Sequence, residues 1–176
     1  NVRARSLLLA ALCALLLSGC TRDPEVKKKK YVESGDRYFQ QEQYREAVIQ
    51  YSNAIQVDPR YAEAHHKLAK TFLKMNLGTA AYASLQRVVE LQATNWAAHM
   101  DLGNLLLAAR EWDLAADSAQ RVLDADPKHV EAHVLKANAH YGRGEREAAF
   151  QELEKAIQLN PQRAQTFVNL AVLQSS

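Results

Sequence analysis

Small and apolar residues recur at fixed intervals along most of the chain. One column of the pattern holds alanines 34 residues apart, at Ala47, Ala81, Ala115 and Ala149. A second column holds histidines with the same spacing, at His65, His99 and His133. Prolines that follow Asp or Asn end three of the intervals, at Pro59, Pro127 and Pro161. Because several columns share one period, the pattern predicts a series of similar structural units rather than one irregular core.

Each interval predicts a pair of helices joined by short turns. The column where two helices must cross closely holds only small residues, Gly35, Ala69, Gly103 and Ala137. We expect Gly78 and Gly144 to mark turns between helices, because glycine readily adopts a positive φ angle. Proline should stop the second helix of each pair, since the residue before a proline is displaced from the α region. One helix pair cannot bury its apolar face alone, so neighbouring pairs are expected to stack.

The intervals resemble the tetratricopeptide repeat, whose signature combines large and small residues on a first helix with Ala, an aromatic residue and Pro on a second. In the first copy the matching residues are Tyr31, Ser34, Gly35, Tyr38, Ala47, Tyr51 and Pro59. The resemblance implies an all-α fold, a right-handed α-solenoid of helix-turn-helix repeats. It places full repeats at 28–61, 62–95, 96–129 and 130–163, with a partial fifth repeat at 164–176. The partial repeat, and Asn1 in place of an initiator Met, lead us to expect the first part of a longer array.

The first twenty residues have the layout of a secretory signal peptide. Arg3 and Arg5 precede an apolar run from Leu7 to Leu17. As a helix this run would span about 16 Å, roughly half of a bilayer's hydrocarbon core. It ends in Leu-Ser-Gly-Cys20, which resembles the lipobox of bacterial lipoproteins, in which the cysteine is acylated. The resemblance implies a signal peptide at 1–19, lipidation of Cys20 and a tether at 20–27; the alternative is a buried cysteine at the end of a core helix.

Composition and charge narrow the classes of function. The chain is 48% hydrophobic and 24% charged, which suits packed helices and argues against bulk disorder. Loss of Arg3 and Arg5 with the signal peptide would leave 20 of the 22 basic residues, which equals the 20 acidic ones. A balanced chain has no general positive field to attract nucleic acid, so we expect no nucleic-acid partner.

No motif of a catalytic or cofactor site is present in the sequence: it has no Gly-rich phosphate loop, paired catalytic carboxylate motif or nucleophile elbow. Neighbouring histidines of the 34-residue column would lie on helices about 8–10 Å apart, too far to share an ion held at about 2 Å. His129 and His133 could share a helical face, but no third ligand accompanies them. Trp96 and Trp112 fit core positions at helix starts. We therefore expect no enzyme activity, no cofactor and no metal site.

The resemblance points to a partner-binding face. In this family the first helices of the repeats line the concave side of the superhelix, which here implies a groove containing Asp36, His66, Lys70, Met100, Asn104, Asn138 and Tyr141. Asn104 and Asn138 lie 34 residues apart, and an amide can both donate to and accept from the backbone of an extended peptide. The alternative is that these amides simply face water. The Lys and Arg clamp of chaperone-binding members is absent, because its places hold Val32, Asp36, Ala97 and Asp101.

The sequence thus predicts a lipid-anchored scaffold of the bacterial cell envelope that binds a protein or peptide partner. A Thr rather than an Asp after Cys20 favours the outer membrane, with the repeats facing the periplasm. The first repeat also resembles the start of repeat lipoproteins associated with exopolysaccharide export, and other proteins of this build assist pilus assembly. Two alternatives stay open: a docking arm of an enzyme whose catalytic domain would lie beyond residue 176, and a self-association module.

Overall fold

The computed structural model describes residues 23–162 of the chain, and its regular secondary structure within these bounds is entirely helical. The helices are α1 (Pro24–Gln40), α2 (Tyr44–Val57), α3 (Ala62–Lys74), α4 (Gly78–Leu91), α5 (Trp96–Ala108), α6 (Trp112–Ala125), α7 (Val130–Gly142) and α8 (Arg146–Leu159). Each odd-numbered helix packs against the next one, and each such hairpin packs on the following hairpin. The four hairpins correspond to the four full repeats predicted from the sequence.

Helix α1 begins four residues before the predicted first repeat, inside the segment assigned to a tether. Asp23 caps it, because its Oδ1 accepts a hydrogen bond of 2.9 Å from the Glu25 backbone N–H. Lys28 is buried, and its Nζ donates to Glu25 and to Asp58 at 2.6 Å each. The beginning of α1 is thereby tied to the end of the first repeat. Between residues 23 and 162, none of the helices has the length and apolar character needed to cross a membrane.

Small residues allow the two helices of a repeat to cross closely, as predicted. The alanine column on the second helices, Ala47, Ala81, Ala115 and Ala149, is fully buried. At the crossing of α1 and α2, a Cβ added to Gly35 would lie 2.5 Å from the ring of Tyr51, which is itself 1% exposed. An added Cβ on Gly103 would lie 2.5 Å from Leu135 of the next repeat. These two glycines are therefore required by space rather than by backbone angle.

The turns between repeats share one pattern of side-chain hydrogen bonds. Asp58 accepts from the backbone N–H two residues later at 3.0 Å, and Asp126 does the same at 3.1 Å. The histidine of the following helix then contacts the turn, since His133 Nε2 lies 3.0 Å from the Pro127 carbonyl oxygen. His65 and His99 make the same contact, each at 3.1 Å, with residues Pro59 and Ala93. The histidine column thus has a structural role that the sequence spacing alone does not indicate.

The turns within repeats are formed by residues with positive φ angles. One column of the repeat takes this conformation in all four copies, at Glu42 (φ 59°), Asn76 (58°), Arg110 (62°) and Gly144 (82°). The expectation for Gly144 is confirmed. The expectation for Gly78 is wrong, because Gly78 is the first residue of α4 and the turn before it takes its positive φ at Asn76. Only the fourth repeat therefore has glycine where the backbone favours it.

Candidate functional site

A groove opens along the first helices of repeats 3 and 4. Helices α5 and α7 contact each other directly, and the turns that follow them complete its walls. The groove has a volume of about 710 Å³, within the range of about 300–1,000 Å³ that is usual for ligand pockets. We call it the asparagine groove and define it by Asn104, Leu107, Ala108, Arg110, Trp112, Asn138, Tyr141, Gly142, Gly144 and Arg146.

Three of the predicted partner-binding residues meet in this groove. Asn104 and Asn138 occupy equivalent positions on α5 and α7, and Tyr141 is 39% exposed one turn after Asn138. Asn104 is exposed and Asn138 half-buried, and within residues 23–162 neither amide has a hydrogen-bond partner. Both amides therefore retain a donor and an acceptor for a ligand.

Trp112 forms a wall of the asparagine groove that sequence reasoning assigned to the core. The half-buried indole lies against the last turn of α7, where a Cβ added to Gly142 would come within 2.6 Å of the ring. Next to it, Arg143 donates to Asp113 at 2.8 Å and joins the α7–α8 turn to the start of α6. A glycine one period-independent step before a turn carries no signal in a single sequence, so this contact could be found only in three dimensions.

His66 and Lys70 lie on α3, away from the asparagine groove, and both face Asp101 of the next repeat. His66 Nε2 is 2.7 Å from Asp101 Oδ2, and Lys70 Nζ is 3.8 Å from the same oxygen. The sequence predicted a small positive spot from His66 and Lys70. Asp101 offsets that charge, so this cluster links repeats 2 and 3 and offers a ligand no isolated cation.

Asp36 and Met100 are each engaged in contacts between helices. The Asp36 carboxylate accepts from Tyr51 Oη at 2.8 Å and from Lys67 Nζ at 2.9 Å. Burial and this hydrogen bond raise the pKa of the Tyr51 hydroxyl above its ordinary value. Met100 is half-buried and packs with Trp96 against the apolar cluster between repeats 3 and 4. Neither Asp36 nor Met100 lines the asparagine groove.

A buried ion centre lies in the fourth repeat, which sequence reasoning did not find. Glu152 is 6% exposed, and its carboxylate lies 2.6 Å from His133 Nδ1, 3.1 Å from Lys155 Nζ and 3.3 Å from Lys136 Nζ. Desolvation alone would raise the pKa of Glu152, but the hydrogen bonds and nearby cations outweigh it and lower the pKa to about 2. The centre joins α7 to α8 and stabilises the hairpin beneath the asparagine groove.

Residues 23–162 contain no group of three or more His, Cys, Asp or Glu side chains arranged to hold a metal ion. The proposed lipidation site, Cys20, lies outside the described residues, as do the signal peptide and the partial fifth repeat.

The geometry and the family comparisons agree. The family model described as tetratricopeptide repeat matches residues 66–127 and 100–164, and a second one, described as TPR repeat, matches residues 35–76. The chain belongs to the tetratricopeptide repeat family. Proteins of this family generally serve as non-catalytic scaffolds for protein–protein interaction. The predicted all-α solenoid is thereby confirmed.

Relatives and solved structures support the same fold. DnaJ homolog subfamily C member 3 of Homo sapiens is 26% identical over 86% of this chain, which spans only 33% of that protein. The crystal structure of MamA protein matches with a TM-score of 0.79 at 23% identity, over 85% of this chain and 81% of MamA. YrrB, described as a TPR protein with an unusual peptide-binding site, matches with a TM-score of 0.74 at 25% identity, over 80% of this chain and 73% of YrrB.

Proposed function

We propose that the chain is a lipid-anchored scaffold of the bacterial envelope that binds an extended peptide segment of its partner in the asparagine groove. The observation that carries the proposal is the meeting of Asn104, Asn138 and Tyr141 in one open groove, with both amides unoccupied by other described residues. A peptide laid along this face could exchange backbone hydrogen bonds with the two amides whatever its sequence. The peptide-binding site named in the description of YrrB supports this use of the fold.

The apolar lining supplies the second part of the interaction. Leu107, Trp112 and Tyr141 present apolar surface beside the amides. Large aromatic side chains in such a position typically carry a disproportionate share of binding energy. The groove therefore combines backbone recognition with a place for one or two apolar side chains of the partner.

The anchor and the compartment rest on the N-terminal sequence. A positive start, an apolar run and a lipobox-like ending at Cys20 would place the repeats at a membrane surface through lipid. The Thr at position 21 makes the outer membrane, facing the periplasm, the proposed address, where an assembly or export system would supply the partner. Substitution Cys20→Ser should abolish incorporation of labelled palmitate and move the protein from the membrane to the soluble fraction. Unchanged fractionation of this variant would contradict the anchor.

The groove is tested by site-specific photo-crosslinking in the native host. A benzophenone amino acid placed at Tyr141 should crosslink to a partner, whereas the same probe at Ile49, which is 57% exposed on α2, should not give that product. The product should disappear in an Asn104→Ala/Asn138→Ala background and persist in Asn53→Ala/Gln56→Ala, a matched pair on α2. A product that survives the groove substitutions would contradict the assignment of the site.

A further inference from the structure

The asparagine groove has a charge as well as a shape. Its lining contains two arginines, Arg110 and Arg146, and no Asp or Glu. Both arginines are exposed, and neither forms an ion pair with any residue of 23–162. The acidic side chains nearest in sequence are already engaged, because Arg143 binds both Asp113 and Glu145. The groove thus presents two uncommitted positive charges beside an apolar wall.

We infer that the groove selects a peptide that carries acidic side chains next to an aromatic or large aliphatic one. This inference rests on the proposed peptide-binding function and names the chemistry of the partner. Guanidinium groups bind carboxylates with directed hydrogen bonds, while Trp112 and Leu107 receive the apolar side chain. The arrangement differs from the cationic clamp of chaperone-binding relatives, since Arg110 lies in the turn between α5 and α6 and Arg146 begins α8.

Charge also indicates that the occupant is a separate protein. Residues 1–22 and 163–176, the parts of the chain outside the described structure, contain no Asp or Glu. Neither segment could therefore place an acidic side chain between Arg110 and Arg146. An acidic segment of a different protein fits the groove better than either of these parts of the chain.

A display library of random octapeptides, selected against the full chain, tests this inference. Selected sequences should be enriched in Asp or Glu beside Phe, Tyr, Trp or Leu. Fluorescence anisotropy with labelled copies of the three most enriched peptides then measures affinity. The Arg110→Gln/Arg146→Gln variant should bind about 5- to 30-fold more weakly, as expected for two exposed ion pairs. Changing the acids of the peptide to amides should give a similar loss, and high salt should weaken only the wild-type complex.

Two further variants separate the outcomes. Arg37→Gln/Arg121→Gln removes the same charge from exposed positions outside the groove and should leave affinity unchanged. Neutral or basic selected peptides, or equal losses in both arginine variants, would overturn the inference. If such peptides still failed to bind Asn104→Ala/Asn138→Ala, the proposed function would stand without it. Binding that survives this asparagine variant, or no selection at all, would overturn both. A concentration-dependent mass that Arg110→Gln/Arg146→Gln abolishes would make the occupant a second copy and would also overturn the inference.

Discussion

The column of positive φ angles predicts a graded set of stability changes. Glu42, Asn76, Arg110 and Gly144 occupy the same turn position in successive repeats, with φ between 58° and 82°. A residue with a Cβ pays about 1–2 kcal/mol in this left-handed region, whereas glycine does not. Glycine in turn costs about 0.5–1 kcal/mol through the greater freedom of the unfolded chain. The net effect of a substitution therefore depends on which residue already occupies the position.

Glu42→Gly should stabilise the protein by about 0.5–1 kcal/mol, because Glu42 is exposed and has no ion pair among the described residues. Asn76→Gly should change stability little, since asparagine tolerates the left-handed region. Gly144→Ala should cost about 1 kcal/mol through the angle alone, because an added Cβ there meets nothing within 4 Å.

Thermal unfolding followed by circular dichroism measures the series. For a chain of this size, 1 kcal/mol corresponds to a shift of about 2–4 °C in Tm. We expect Glu42→Gly to raise Tm, Asn76→Gly to leave it nearly unchanged and Gly144→Ala to lower it. Equal gains for Glu42→Gly and Asn76→Gly, or an unchanged Tm for Gly144→Ala, would refute the argument from backbone angle.

Two further predictions concern the core. Gly35→Ala should cost about 1–3 kcal/mol, because the new methyl would overlap the buried ring of Tyr51, and Gly78→Ala should gain about 0.4–1 kcal/mol, because its methyl would lie 3.7 Å from the nearest side chain at a helical position; urea unfolding of the two variants checks both, and similar midpoints would contradict the packing described here. Glu152→Gln should cost on the order of 2–3 kcal/mol at pH 7. The folded-state pKa of Glu152 is lowered to about 2 from 4.5, so this stabilisation is present above about pH 4.5 and is lost as pH falls toward 2. The difference between wild type and Glu152→Gln should therefore shrink over that interval, and a constant difference would show that the charge of Glu152 is not its source.

The repeat architecture could be predicted because each repeat satisfies the same local constraints. Small residues at helix crossings, as at Gly35, and prolines after Asp or Asn, as at Pro59, recur with one period and mark helices and turns directly. Three members of the groove, Asn104, Asn138 and Tyr141, follow from the same register, because equivalent positions of stacked first helices face the same side.

Other features depend on contacts that register does not determine. Asp36 lies on the expected helix but is drawn to Tyr51 and Lys67, and His66 is drawn to Asp101 of the next repeat. Such pairings depend on side-chain length and rotamer across two helices. Trp112 enters the groove because Gly142 leaves room for its ring, and this fit between two residues is invisible in either column alone.

The central claim, that peptide occupies the asparagine groove, is tested most directly by the fluorescence of Trp112. The chain has two tryptophans, and Trp96 does not line the groove. In Trp96→Phe, titration with a selected octapeptide should change the emission of Trp112 saturably, at the same concentration that saturates anisotropy. In Trp112→Phe, the emission of Trp96 should stay constant throughout the titration. A saturable change from Trp96 with none from Trp112 would place the peptide elsewhere and contradict the account.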